Sequence, residues 1–255
     1  MKRFFVILLV ITSSFPIVYA QTIPITISSR MSNVIFDGKW SFMQEWKESS
    51  LTQIDSNSGP IYIRTAHWQN YVYVMIDAAS ITSFEKNSDR ATVCFDKNDT
   101  KSSISNQNNY CFVSVLNGPT FVLQGGSHIA LNGNFKKISP PPDFIGIGGI
   151  SDENDRYTSI PHPIYEFKIP TELLGRSNHY GFYVSIYDTL ENKIYSWPLG
   201  ISNDSPLMIP SPQTWGKIVS PDSSLPEFPY PVFALIISLA LILYLTRINK
   251  IKFRY

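Results

Sequence analysis

Charge is scarce in this chain: only 16% of its 255 residues are Asp, Glu, Lys or Arg. Several of the basic ones sit at the two ends. Lys2 and Arg3 open the chain, and Arg247, Lys250, Lys252 and Arg254 close it. The stretch between is left with 15 Lys and Arg against 20 Asp and Glu, a net charge of about −5. Nothing basic is left over to cover phosphates, so nucleic acid is not the expected partner. Catalytic signatures are missing too. His67, His128, His162 and His179 are scattered without HExxH spacing, no GxSxG elbow occurs, and GIGGI at 146–150 departs from the dinucleotide-binding pattern. The expectation is a protein that is not an enzyme. Helical pattern is also nearly absent. One short turn, TELLG, reads as a helix with Thr171 as N-cap and Gly175 ending it in a left-handed conformation.

Two uninterrupted apolar runs lie at the ends. Met1-Lys2-Arg3, the run FFVILLVI at 4–11 and the small residue of Val18-Tyr19-Ala20 describe a secretory signal peptide over residues 1–20, cut after Ala20. PVFALIISLALILYLT at 231–246 carries no charge. Extended back to Phe228, it gives about 19 residues and roughly 28 Å of helix, enough to cross a bilayer. The basic tail RINKIKFRY at 247–255 then stays on the cytoplasmic side, which puts the body of the chain outside and makes the protein single-pass with its N-terminus out. Residues 223–230 link the two parts. Their Pro226-Glu227-Phe228-Pro229, followed by an apolar span and a basic tail, resemble the tripartite C-terminal sorting signal called PEF-CTERM. That resemblance implies processing by an archaeosortase at the cell surface, with the span removed. The alternative is a span kept as a plain anchor, and both leave the domain tethered outside the cell.

Residues 21–222 have the look of many strands joined by turns: aromatics make up 14% of the chain, and Gly, Pro, Asn and Ser recur at short intervals. YVYVMID at 71–77 alternates, with Val72, Val74 and Ile76 on one face and Tyr71, Tyr73 and Met75 on the other; GFYVSIYD at 181–188 repeats the design with Phe182, Val184 and Ile186. Such alternation predicts half-buried strands of an all-β, two-sheet antiparallel sandwich. Further strands are expected at 34–38, 61–65, 91–96, 110–116, 121–124, 164–170 and 194–199. The stretch 138–163 reads as a long loop. Cys94 and Cys111 flank a polar segment in the layout of a hairpin, and outside the membrane they are expected to form a disulfide. Asn98 and Asn203 begin N-glycosylation sequons.

Taken in order, FDGKWSFMQEW, YVYVMID, ATVCFD, YEFKIPTELLG, FYVSIYD, SWP and PQTWGKI, from about Asp37 to Ile218, resemble the family 9 carbohydrate-binding-module-like sandwich related to DOMON domains. The resemblance implies two packed antiparallel sheets, jelly-roll-like, and in members that bind glycans, aromatic rings that sandwich a sugar. Rings pack on sugar C–H faces while polar neighbours meet the hydroxyls. Trp68 in the polar context AHWQNY, with Tyr71 and Tyr73, is the preferred glycan contact; Trp46, Trp197 and Trp215 read as packing residues. Structural calcium is a further implication of the family. The acidic groups Asp96 with Asp99, and Asp152, Glu153 and Asp155, offer hard oxygen ligands for it, the second group being preferred. Two alternatives stand beside glycan binding. One is a structural or adhesive envelope module. The other is haem binding as in DOMON relatives, for which Met43, Met75 or His67 would be the axial ligands.

Overall fold

The computed structural model describes residues 21–56, 59–127, 134–201 and 209–220. The expected signal peptide, the Pro226–Pro229 segment, the apolar run at 231–246, the basic tail, Asn203 and His128 lie outside the described residues. Among the described residues no helix is long and apolar enough to cross a membrane.

In chain order the strands are β1 (Thr22–Pro24), β2 (Thr26–Ile27), β3 (Ser50–Ser56), β4 (Gly59–Trp68) and β5 (Tyr71–Asp77). Then follow β6 (Arg90–Asp96), β7 (Asn109–Val115), β8 (Thr120–Gln124), β9 (Lys136–Ile138) and β10 (Ile145–Ile150). The last four are β11 (Pro163–Pro170), β12 (His179–Asp188), β13 (Lys193–Trp197) and β14 (Gly216–Val219). They form two sheets. The larger runs β1-β14-β12-β6-β7-β8-β9 with β13 also on β12, and the smaller runs β10-β11-β5-β4-β2 with β3 also on β4. All pairings are antiparallel except β1 with β14 and β2 with β4. The expected all-β, two-sheet architecture is therefore the one observed.

Period-two alternation drives the packing between the sheets. Val72, Val74 and Ile76 of β5 and Phe182, Val184 and Ile186 of β12 enter one shared core with Tyr165 and Phe167. Three rings fill its centre: Phe95 lies 5.0 Å from Phe182 and 6.2 Å from Phe112. Each fully buried side chain of this kind contributes roughly 1.5–3 kcal/mol relative to exposure.

The outer faces depart from the expected half-buried pattern. Tyr73 and Met75 are buried, because residues 28–49 fold back over the smaller sheet and lay Met31, Trp40 and Trp46 on them. Tyr183 on the larger sheet is likewise covered, by Trp215 at a ring distance of 6.2 Å. Residues 34–38, expected as a strand, belong to this cover and pair with no sheet. Conversely, the expected loop at 138–163 contains β10, which pairs with β11 from Ile145↔Lys168 to Ile150↔Pro163. Its glycines hid the alternation while making room for the cover. Gly38 has φ +75°, and a Cβ on it would stand 2.4 Å from the Gly149 Cα, so here backbone lies directly on backbone. The short helix is present at Thr171–Leu174, but Pro170 occupies the cap position and no side chain caps it. Gly175 ends the helix with φ +73° and ψ 157°, positive in φ as expected but extended rather than left-handed helical.

Glu166 on β11 fastens the cover. Its Oε2 accepts from the backbone N–H of Asp37 (3.0 Å) and Gly38 (2.8 Å), and its Oε1 accepts from Trp46 Nε1 (2.9 Å). Burial nevertheless outweighs these donors and pushes its carboxyl from the usual 4.5 up to about 8.

Cys94 and Cys111 stand directly opposite each other on β6 and β7 and are joined by a disulfide. Replacing both by Ala is expected to lower the unfolding free energy by roughly 3 kcal/mol in the chain-entropy model, read from denaturant curves. An unchanged midpoint would count against that role. A second expectation concerns Glu166. The folded chain holds its proton more tightly than the unfolded chain, so this stabilisation is full below pH 4.5 and is lost as pH rises to about 8. The difference between wild type and Glu166→Gln should change across that window by up to about 1.4 kcal/mol per pH unit and be flat above it. Parallel curves throughout would show that Glu166 is ionised in both states.

Candidate functional site

The β4–β5 hairpin positions the aromatic residues singled out in the sequence. Its turn at Gln69 and Asn70, with Gln69 at φ 53°, sets Trp68 opposite Tyr71 and Ala66 opposite Tyr73, so all three aromatics point to the outer side of the smaller sheet. Trp68 and Tyr71 are half-buried and keep open surface. Tyr73 does not. It is 3% exposed, with its ring stacked near Phe36 at 6.3 Å, and supports the others from beneath. Around Tyr71 the surface is amphipathic: Lys168 Nζ lies 4.0 Å from the ring centroid, and the Tyr71 hydroxyl donates to Asp143 Oδ2 at 3.4 Å.

Trp68 also borders an open cavity of about 670 Å³ at the end of the sandwich, shared with His67, Val72, Arg176, His179 and Tyr180. The floor is apolar because β5 and β12 bring core side chains to the end of the sandwich. The rim is polar because the segment after the short helix closes one side. That segment is held in place: the Tyr180 hydroxyl donates to the Gly175 carbonyl (2.5 Å), and Arg176 Nη2 donates to Asn70 Oδ1 (2.6 Å), which ties it to the hairpin turn. An apolar floor, one aromatic wall and several amide, imidazole and guanidinium groups suit an uncharged hydroxylated ligand. Arg176, Asn178 and Tyr180 were not visible as a group in the sequence, since they join Trp68 only through sheet pairing.

The other tryptophans are occupied. Trp46, Trp197 and Trp215 are buried as expected, and Trp40 packs under the Arg64 guanidinium at 5.2 Å. Arg64, itself buried, also donates to the Tyr157 hydroxyl (2.9 Å) and the Trp46 carbonyl (3.0 Å). Tyr157 in turn stacks on Tyr62 with ring centroids 3.6 Å apart.

The acidic candidates separate. Asp152 turns to Lys39 Nζ (3.3 Å) and Glu153 is exposed, while Asp155 points inward to Asp77 and His162. Asp96 is buried as a turn cap, accepting from Asn98 N–H, Thr100 N–H and the Thr100 hydroxyl, and Asp99 pairs with Lys101 and Lys217. Asn98 is exposed beside it. Asp77 and His162 were missed as a pair. The available signal was that Asp77 ends the YVYVMID alternation on the Tyr71 side while His162 directly precedes β11. Burial, opposed by the contact with His162, raises the Asp77 carboxyl to about 6. Burial also pulls the His162 imidazole down, but its contact with Asp77 prevails and the net direction is up. The three haem-ligand candidates do not meet: Met43 is 77% exposed, Met75 is buried under the cover, and His67 borders the cavity.

No protein-family model and no curated protein matches the chain. Among solved structures, a carbohydrate binding module family 9 from Caldicellulosiruptor kristjanssonii in complex with cellotriose aligns with TM-score 0.50 at 11% identity, over 78% of this chain and 93% of that one. A family 9 module from the same organism in complex with glucose aligns with TM-score 0.48 at 11% identity, over 78% and 95%. At this identity the likeness concerns the fold. The described domain thus has a fold like that of carbohydrate-binding modules.

Proposed function

We propose that the domain is a non-catalytic carbohydrate-binding module displayed at the outer face of the cell membrane, with Trp68 as its principal sugar-contacting ring. The observation that carries this reading is the placement of Trp68: a half-buried aromatic residue bordering an open cavity with an apolar floor and a polar edge. Tyr71 extends the aromatic surface around the hairpin. The fold adds support, since the similar structure holds cellotriose. A glycan array probed with the purified protein, with calcium and with chelator, followed by titration with cello-oligosaccharides, tests the reading. Trp68→Ala is expected to weaken binding several-fold, in line with about 1 kcal/mol of stacking per ring, while leaving the melting curve in place. A domain that binds no glycan, or that loses its fold with Trp68, would favour a structural envelope module.

The tether is a second part of the proposal and rests on sequence alone. Pro226-Glu227-Phe228-Pro229 before an apolar, positively flanked run supports export followed by processing or anchoring. Changing Glu227 and Phe228 to Ala is expected to leave a full-length form in the membrane, while the unaltered chain loses the segment that follows. Identical C-terminal peptides from both, by mass spectrometry, would reduce the segment to a plain anchor.

A further inference from the structure

At the far end of β5 from Trp68, the side chains of Asp77, Asp155 and His162 converge, and one ligand-type atom from each lies within 4.8 Å of the others. All three side chains are out of water, exposed by 1%, 1% and 0%. Four of their atoms have no hydrogen-bond partner: both Asp77 carboxylate oxygens, Asp155 Oδ2 and His162 Nε2. A buried polar atom left unpaired is costly, and here unpaired atoms of three residues gather in one place out of water.

The histidine tautomer sharpens this. His162 Nδ1 lies 2.7 Å from the Ile160 carbonyl oxygen, which only accepts, so Nδ1 carries hydrogen. Ser151 Oγ, 2.8 Å away, accepts from the His162 backbone N–H and holds the ring from the same side. With no proton on Nε2 its lone pair would face Asp77 Oδ1, 2.9 Å distant, acceptor against acceptor; with one, the two groups form an ion pair. A proton on Nε2 would pair two of the four atoms and leave Asp77 Oδ2 and Asp155 Oδ2 without a partner. A divalent cation would take a ligand atom from each of the three side chains.

We infer that Asp77, Asp155 and His162 hold a divalent transition-metal ion of the zinc class. One imidazole nitrogen with carboxylate oxygens is a borderline donor set suited to zinc. Calcium takes six to eight oxygen ligands, and an imidazole supplies none. The Ile160 carbonyl on the opposite ring nitrogen is the outer-shell partner that metal-bound histidines characteristically have. The ion would staple the end of β5 to the loop carrying Tyr157, whose ring covers Tyr62 and whose hydroxyl meets Arg64. This site is independent of carbohydrate binding.

The test uses the full-length protein purified in detergent. Elemental analysis is expected to find close to one zinc ion per chain. After EDTA treatment, Zn2+ titrated against a chromophoric chelator should rebind and raise the melting temperature, whereas Ca2+ should not. His162→Ala and Asp155→Asn should each weaken Zn2+ binding at least tenfold. Asp155 lies in a loop, so Asp155→Asn decides the matter if His162→Ala fails to fold. Absence of stoichiometric Zn2+ binding, unchanged affinity in Asp155→Asn, or stabilisation by Ca2+ in preference to Zn2+ would each overturn the inference and leave a buried ion pair or a calcium site in its place.

Discussion

The outer half of the smaller sheet is organised around one buried carboxyl group. Glu166 receives three donors from the segment that crosses above it, two backbone amides and the Trp46 indole, and so fixes where residues 28–49 lie. A buried acid without those donors would be unaffordable in free energy, and without the acid the two amides and the indole would be unpaired beneath the cover. The closeness of the approach depends on Gly38 and Gly149, which let the two backbones touch. From this arrangement follows the burial of Tyr73, Met75 and Arg64. It also means that β5, which an amphipathic strand pattern would leave wet on one side, is covered over most of its length.

Covering the middle of β5 leaves chemistry at its two ends, about 20 Å apart for a strand of this length. The environments are opposite in character. At the Trp68 and Tyr71 end the strand meets an open cavity with an apolar floor and a rim of neutral and basic groups. At the Asp77 end, carboxylates and an imidazole are sealed from water, where electrostatics are strong and unpaired groups are costly. The β4–β5 hairpin thus borders an open cavity at one end and a buried polar cluster at the other, and the cover held by Glu166 lies over the stretch between them.

How much of this was legible in the sequence varies with the range of the interactions involved. Period-two alternation at 71–77 and 181–188 identified strands and the correct core face, because that signal needs only the pleat. The cysteine pair was readable because its partners bracket one hairpin. By contrast, β10 escaped detection since Gly146, Gly148 and Gly149 erase the alternation, and residues 34–38 passed for a strand because an apolar run looks alike in a sheet and in a cover. Tyr73 looked exposed by its face alone. The partner that buries it, Phe36, lies on a segment whose path no local pattern reveals.

By itself the sequence determined the class of architecture, the inward-facing residues of its alternating strands, the disulfide and the absence of familiar catalytic motifs. These depend on local geometry and on residue chemistry at short separation. The tertiary structure alone decided which outer faces are dry, that Trp68 borders a cavity with Arg176 and Tyr180, and that Asp77 meets Asp155 and His162. Each of these joins residues that are distant in the chain, and only strand register and the closing of loops over the sheets bring them within reach of one another.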